Sequence, residues 1–147
     1  MTTQNTKVVR FSWPWVNAMP TKKRILVISY DEALLRQRKL SLEAAGFFVT
    51  SAYGFTEASR ICRLDNSFDL IVLGHTVPRN DKITLIELLR PNCKAPVLSI
   101  RKHGVPPLRE AEFSIDSDNE REVLATAAQI ALGVVRSKPA SSSSASS

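Results

Sequence analysis

The residues able to do chemistry in this chain are few, and their spacing keeps them apart. His75 stands in "DLIVLGHTVPRND" (69–81), a stretch with the rhythm of a buried strand, a short loop and a helix start. A solitary histidine can accept a phosphoryl group or titrate near neutral pH. No acid or second histidine shares its loop, so His75 reads as a surface histidine, and His103 lies on a different loop. Cys62 falls on an inward helical stripe and reads as core. Cys93, in "PNCKAP", reads as an exposed loop thiol with no histidine or acid beside it. The chain has no glycine-rich phosphate loop, no Cys/His metal spacing and no carboxylate pair at a strand end. The expectation is a protein that is not an enzyme and that takes no cofactor and no metal.

Composition bounds the remaining classes. The 147 residues are 44% hydrophobic and 23% charged, ordinary for a globular domain. No stretch has the length of apolar sequence a membrane helix needs, and the first twenty residues lack the apolar core of a secretory signal. Two cysteines are too few for a disulfide framework, and a cytoplasmic location is expected. The net charge of +6 belongs to the ends: residues 1–30 hold five basic residues and no acid, and Lys138 adds one more. Residues 31–137 are therefore balanced. A basic arm can attract phosphates, anionic lipid or an acidic protein.

The elements that would position a site follow from periodicity. "RILVIS" (24–29), "FFVTSA" (47–52), "FDLIVLG" (68–74), "APVLSI" (95–100) and a weaker "EFSID" (112–116) have strand length and composition. Between them, helices are predicted over 31–45, with Asp31 as cap and Gly46 as stop, over 55–65 and over 80–90. A last helix is predicted over 118–135. Alternating strands and helices make an α/β domain with a five-stranded, parallel, doubly wound flavodoxin-like sheet in the order 2-1-3-4-5. Between the fourth and fifth strands only "RKHGVPPLREA" is available, and Gly104, Pro106 and Pro107 break it. The fourth crossover helix is predicted to be shortened or missing. The domain is placed at 22–136, between a basic arm (1–21) carrying Trp13 and Trp15 and a serine-rich tail (137–147) too polar to fold.

These residues carry a resemblance. "KKRILVIS" with "DEALLRQRKLSLEAAGFFVTSAYGFTEA", then "FDLIVLGHTVP" and "APVLSI", resembles the bacterial response-regulator receiver domain over about residues 22–135. That family holds Mg²⁺ with an acidic pair after the first strand and with a phosphate-accepting aspartate after the third. The matching positions here are Ser29 and Tyr30, and Gly74. Its phosphate-binding Thr or Ser corresponds to Arg101, with Ser99 two residues earlier on the same face, and its fifth-strand lysine to Asp116. Phe113 matches the aromatic that switches rotamer. The resemblance thus implies a degenerate receiver that is not phosphorylated on aspartate. An Arg101–Asp116 pair filling the vacated cleft and two solvated charges that never meet are both open readings.

The function this implies is that of a stand-alone pseudo-receiver in two-component, phosphorelay-type signalling. It would contact a protein partner, which the family offers as a histidine kinase, another receiver or an output protein. Arg36, Arg38 and Lys39 mark the first helix face that receivers offer to kinases, and Trp13 and Trp15 mark the arm as a second contact. With the fourth crossover helix cut back, the usual receiver dimer face is altered. The alternative is a nucleic-acid or anionic-surface binder acting through the basic arm, whose affinity would fall steeply with salt. The neutral body gives that alternative little support.

Overall fold

A computed structural model describes residues 22–133 of the chain. Five strands, β1 (Arg24–Ser29), β2 (Phe48–Tyr53), β3 (Leu70–Leu73), β4 (Val97–Arg101) and β5 (Phe113–Asp116), form one parallel sheet in the order β2-β1-β3-β4-β5. Four helices join or follow them: α1 (Glu32–Ala44), α2 (Gly54–Leu64), α3 (Arg79–Leu89) and α4 (Glu120–Ala131), the last entered through a 3₁₀ turn at Ser117–Asn119. The expected doubly wound order is the observed one.

Side-chain alternation divides the core into two layers. Leu26, Ile28, Ile71, Leu73 and Val97 point to the face covered by α2 and α3, where Cys62, Leu85 and Leu89 meet them. Ile25, Val27, Leu70, Val72 and Leu98 point to the opposite face, against Leu35 and Leu42 of α1 and Leu124 and Ala128 of α4. Positions buried on both faces favour apolar side chains, which is why residues 25–28 of β1 and 70–73 of β3 read as unbroken apolar runs.

Local chemistry sets the boundaries. Asp31 Oδ1 accepts from the Leu34 amide at 3.0 Å and caps α1. At its other end Gly46 takes φ 101°, Gly46 N donates to Glu43 O and Phe47 N to Leu42 O, a Schellman closure. That closure uses Phe47 in the turn, so β2 starts at Phe48, one residue later than the apolar pattern suggests. The predicted last helix starts two residues late for a similar reason. Asp116 accepts from the Asp118 amide and holds 117–119 in a 3₁₀ turn before α4 begins at Glu120.

The crossover between β4 and β5 contains no helix. Residues 102–112 run as turns, with Gly104 at φ 82°, and the segment is pinned by Leu108, buried against the α2/α3 layer. Glu112 closes its far end, accepting from the Val97 amide at 2.8 Å and from Arg90 at 3.0 Å. Cys93, expected to be exposed, is buried: its thiol donates to Phe68 O at 3.6 Å and it packs in the α2/α3 layer with Phe68 and Leu89. Cys62 is core as expected, and burial pushes its thiol up to about 11.

A candidate functional site at the strand ends

In open parallel sheets ligands meet the carboxyl ends of the strands, and β1, β3 and β4 converge there on Gly74. Gly74 donates its amide to Ile28 O at 2.9 Å. A Cβ built on it would lie 2.5 Å from Arg38 Nη1 and 3.1 Å from Ile28 O. The side chain that fills this place therefore comes from α1. Leu35, Arg38 and Leu42 share the buried face of that helix, and Arg38 is 1% exposed. Its guanidinium lies over Gly74 and grips Glu120, at the start of α4, as a fork: Nε to Oε2 and Nη2 to Oε1 at 3.0 Å. Nη2 also lies 3.1 Å from His75 Nδ1. Nη1 is buried and, among the described residues, has no hydrogen-bond partner.

This latch explains His75. Burial first, and then the positive field of Arg38, lower its pKa from the usual histidine value. The neutral ring presents Nδ1 as acceptor to the arginine. The loop histidine is thus tied into a charge network by a residue from another helix, not left free at the surface as its local sequence suggested.

Ser29 and Tyr30 sit where the resemblance puts an acidic pair, and they form a hydroxyl network. Ser29 is fully buried; its Oγ lies 3.0 Å from both the carbonyl and the amide of Asp31, and 3.2 Å from Thr76 Oγ1. Thr76 Oγ1 also accepts from the Tyr30 amide at 2.9 Å. Tyr30 turns away and donates its phenol to Asp81 Oδ2 at 2.7 Å. Burial, that hydrogen bond and the Asp81 charge all raise the phenol's pKa and keep it neutral.

A divalent Mg²⁺ wants carboxylate oxygens in near-octahedral array. Here Ser29 and Tyr30 offer hydroxyls, Gly74 offers no side chain, and a guanidinium lies against the position. Asp31 spends an oxygen on the helix cap and Asp81 on Tyr30. The residues present do not fit the ion.

Beside the latch lies a cleft of about 170 Å³, walled by the β3–α3 turn and by the helix-free crossover. Lys82 of α3 reaches its floor, 6% exposed, donating to Ser99 Oγ at 2.8 Å and to Ile100 O at 3.0 Å. Burial, then the charges of Arg38 and Arg79, lower its pKa to about 8. Ser99 is buried on the β4 face expected for it. Arg101 and Asp116 are register partners across β4 and β5, but they do not pair. Arg101 donates to Ser114 Oγ at 3.2 Å and Val105 O at 3.1 Å, whereas Asp116 faces the Asp118 amide and His103. The loop offers each charge a nearer partner.

The other expected residues are dispersed. Phe113 packs with the α1/α4 layer, on the face away from Ser99. Arg38 cannot serve as a surface contact, because it is buried; Arg36 is exposed, and Lys39 pairs with Glu43 at 3.8 Å one turn on. Trp13, Trp15, the arm and the tail lie outside the described residues. Sequence reasoning passed over Lys82 and Glu120 and misread Arg38. The signal for the two cations was periodic: Arg38 follows Leu35 by three and precedes Leu42 by four, and Lys82 precedes Leu85 and Ile86 by three and four.

No family model and no curated sequence matches the chain. Solved structures do. The chain is similar to the receiver domain of a Francisella response regulator (22% identity, TM-score 0.66), with 77% of this chain and 98% of that one covered. A two-component response regulator from Clostridium difficile matches at 22% identity and TM-score 0.64, covering 79% of this chain and all of the other. An adenylate cyclase structure from Rhodopirellula baltica matches at 17% identity and TM-score 0.64, covering 77% and 89%. The fold is that of a response-regulator receiver domain. Among the described residues no helix is long and apolar enough to cross a membrane.

Proposed function

We propose that this chain is a pseudo-receiver: a module of two-component signalling that acts by protein contact and is not switched by an aspartyl phosphate. The observation that carries the reading is the Arg38 guanidinium lying over Gly74 and forked onto Glu120. A receiver needs at that point an anionic nucleophile and a metal; this chain has a buried cation. Phosphate switching also needs an element free to take two positions. The Arg38–Glu120 pair ties α1 to α4 directly across the strand ends, and breaking a buried pair of this kind costs about 3–5 kcal/mol. The domain is accordingly held in one state without a ligand on aspartate.

The partner would be a histidine kinase, another receiver or an output protein, met through the surface of α1 at Arg36 and through the altered face around β5 and α4. The test is chemical. Incubation of the full chain with acetyl phosphate and Mg²⁺ is expected to give no +80 Da adduct by mass spectrometry, and Mg²⁺ with beryllofluoride no amide shifts at residues 29–31, 74–76 and 101. An adduct on an aspartate, or clear shifts there, would overturn the reading.

A further inference from the structure

The charge inventory of the cleft does not close. His75, Arg79, Lys82, Arg101 and Lys102 all contribute to its lining, and no carboxylate among the described residues does. Lys82 is the informative member, because it is buried and, among the described residues, has no counter-ion: its ammonium donates there to two neutral oxygens. Desolvating an ammonium is costly unless an opposite charge accompanies it. The neighbouring acids are already engaged, Glu120 with Arg38 and Asp81 with Tyr30. The charges that act on Lys82 are cations, Arg38 from α1 and Arg79 from its own helix, and the neutral ring of His75 lines the same cleft from the β3–α3 turn. Arg101, on the cleft's rim, donates among the described residues to neutral oxygens alone. Opposite these cations, Val105, Pro106 and Leu108 supply an apolar wall that exists because no helix fills the crossover.

A buried, uncompensated cation at the base of an open cleft is the arrangement of an anion site awaiting its anion. We propose that this cleft binds a small organic anion, a phosphate monoester or a carboxylate. Its charged head would meet Lys82 and Arg101, and its apolar body would lie on Val105, Pro106 and Leu108. Binding is non-covalent and supplies the counter-charge that Lys82 lacks within the chain. It also bridges the β3–α3 turn to the crossover, so the ligand would order the part of the domain face where a helix is missing. The inference stands apart from the signalling role, since it needs only the cleft.

The experiment titrates the full chain at constant ionic strength and pH 7 with phenyl phosphate, benzoate and inorganic phosphate, by calorimetry and amide NMR. Saturable binding of phenyl phosphate or benzoate is expected, with shifts at Ser99, Arg101 and Val105. The tighter of the two identifies the head group. Lys82→Met is expected to weaken binding at least 10-fold, and Arg101→Gln several-fold. Arg121→Gln, in the separate cleft between α1 and α4, should leave it unchanged. A second readout needs no variant: affinity should fall as pH rises from 7 to 10 and Lys82 loses its proton. Failure of both organic anions to saturate by 10 mM, binding by inorganic phosphate alone, or affinity indifferent to pH and to Lys82→Met would each overturn the proposal.

Discussion

Replacing Gly74 by alanine adds one methyl group to the strand-end site, and the structure fixes where it must go. Gly74 does not take a left-handed φ. A Gly→Ala change at a compatible backbone position ordinarily stabilises a protein by about 0.4–1 kcal/mol through the unfolded chain. Here the new carbon lies 2.5 Å from Arg38 Nη1, and Ile28 O at 3.1 Å prevents it from backing away. The guanidinium must move by about an ångström, which opens its fork to Glu120. Overpacking of a core costs about 1–3 kcal/mol, and full rupture of a buried ion pair about 3–5 kcal/mol. We expect Gly74→Ala to lose about 3 kcal/mol. The control removes the cause: in an Arg38→Met, Glu120→Gln background, where no charge is orphaned, the same change should cost less than about 1 kcal/mol. A coupling of about 2 kcal/mol falls within the range measured for contacting residues. Urea denaturation followed by far-UV circular dichroism at pH 7, with m-values compared across all four proteins, measures it. If Gly74→Ala is neutral or stabilising in the parent, or equally costly in both backgrounds, Arg38 does not fill the space over Gly74 and the reasoning fails.

Other expectations follow from the same geometry. Lys82 has a folded pKa of about 8 against an ordinary 10.5, so the unfolded chain binds more protons between those values and stability must rise with pH there. Relative to Lys82→Met, the parent should gain about 2 kcal/mol between pH 7 and 9.5, read by urea midpoints; a difference that does not change with pH would refute the buried-ammonium argument. Asp31→Ala removes the cap of α1 and should cost about 1 kcal/mol, with Asp31→Asn largely restoring it. Leu108→Ala should cost about 2–4 kcal/mol in the same denaturation assay, because that side chain stands in for the missing helix. A loss under 0.5 kcal/mol would mean the crossover is not anchored there.

Much of the architecture was legible from local pattern. Period and punctuation placed all five strands to within two residues, and the glycine and prolines of "GVPPL" pointed to a fourth crossover helix shortened or missing. The Gly74 position was equally plain, since it ends a strand that, in the domains this sequence resembles, ends in aspartate. Such features depend on residues near one another in the chain, where backbone sterics and burial periodicity act directly.

What fills that position was decided by tertiary structure alone. Arg38 and Glu120 are 82 residues apart, and nothing in either neighbourhood specifies that a guanidinium should bury itself over Gly74. By composition Arg38 belonged with Arg36 and Lys39 on a solvated face; the fold separated them because its position shares a stripe with Leu35 and Leu42. Lys82 was hidden in the same way, a charge on an apolar stripe whose partners, Ser99 and Ile100, come from the next strand. The Arg101–Asp116 contact, suggested by register, was lost to nearer partners in the loops. Pattern in one dimension reports which positions are buried. Which charges meet, and which remain without a partner, is set by distances across the sheet that exist only once the chain has folded.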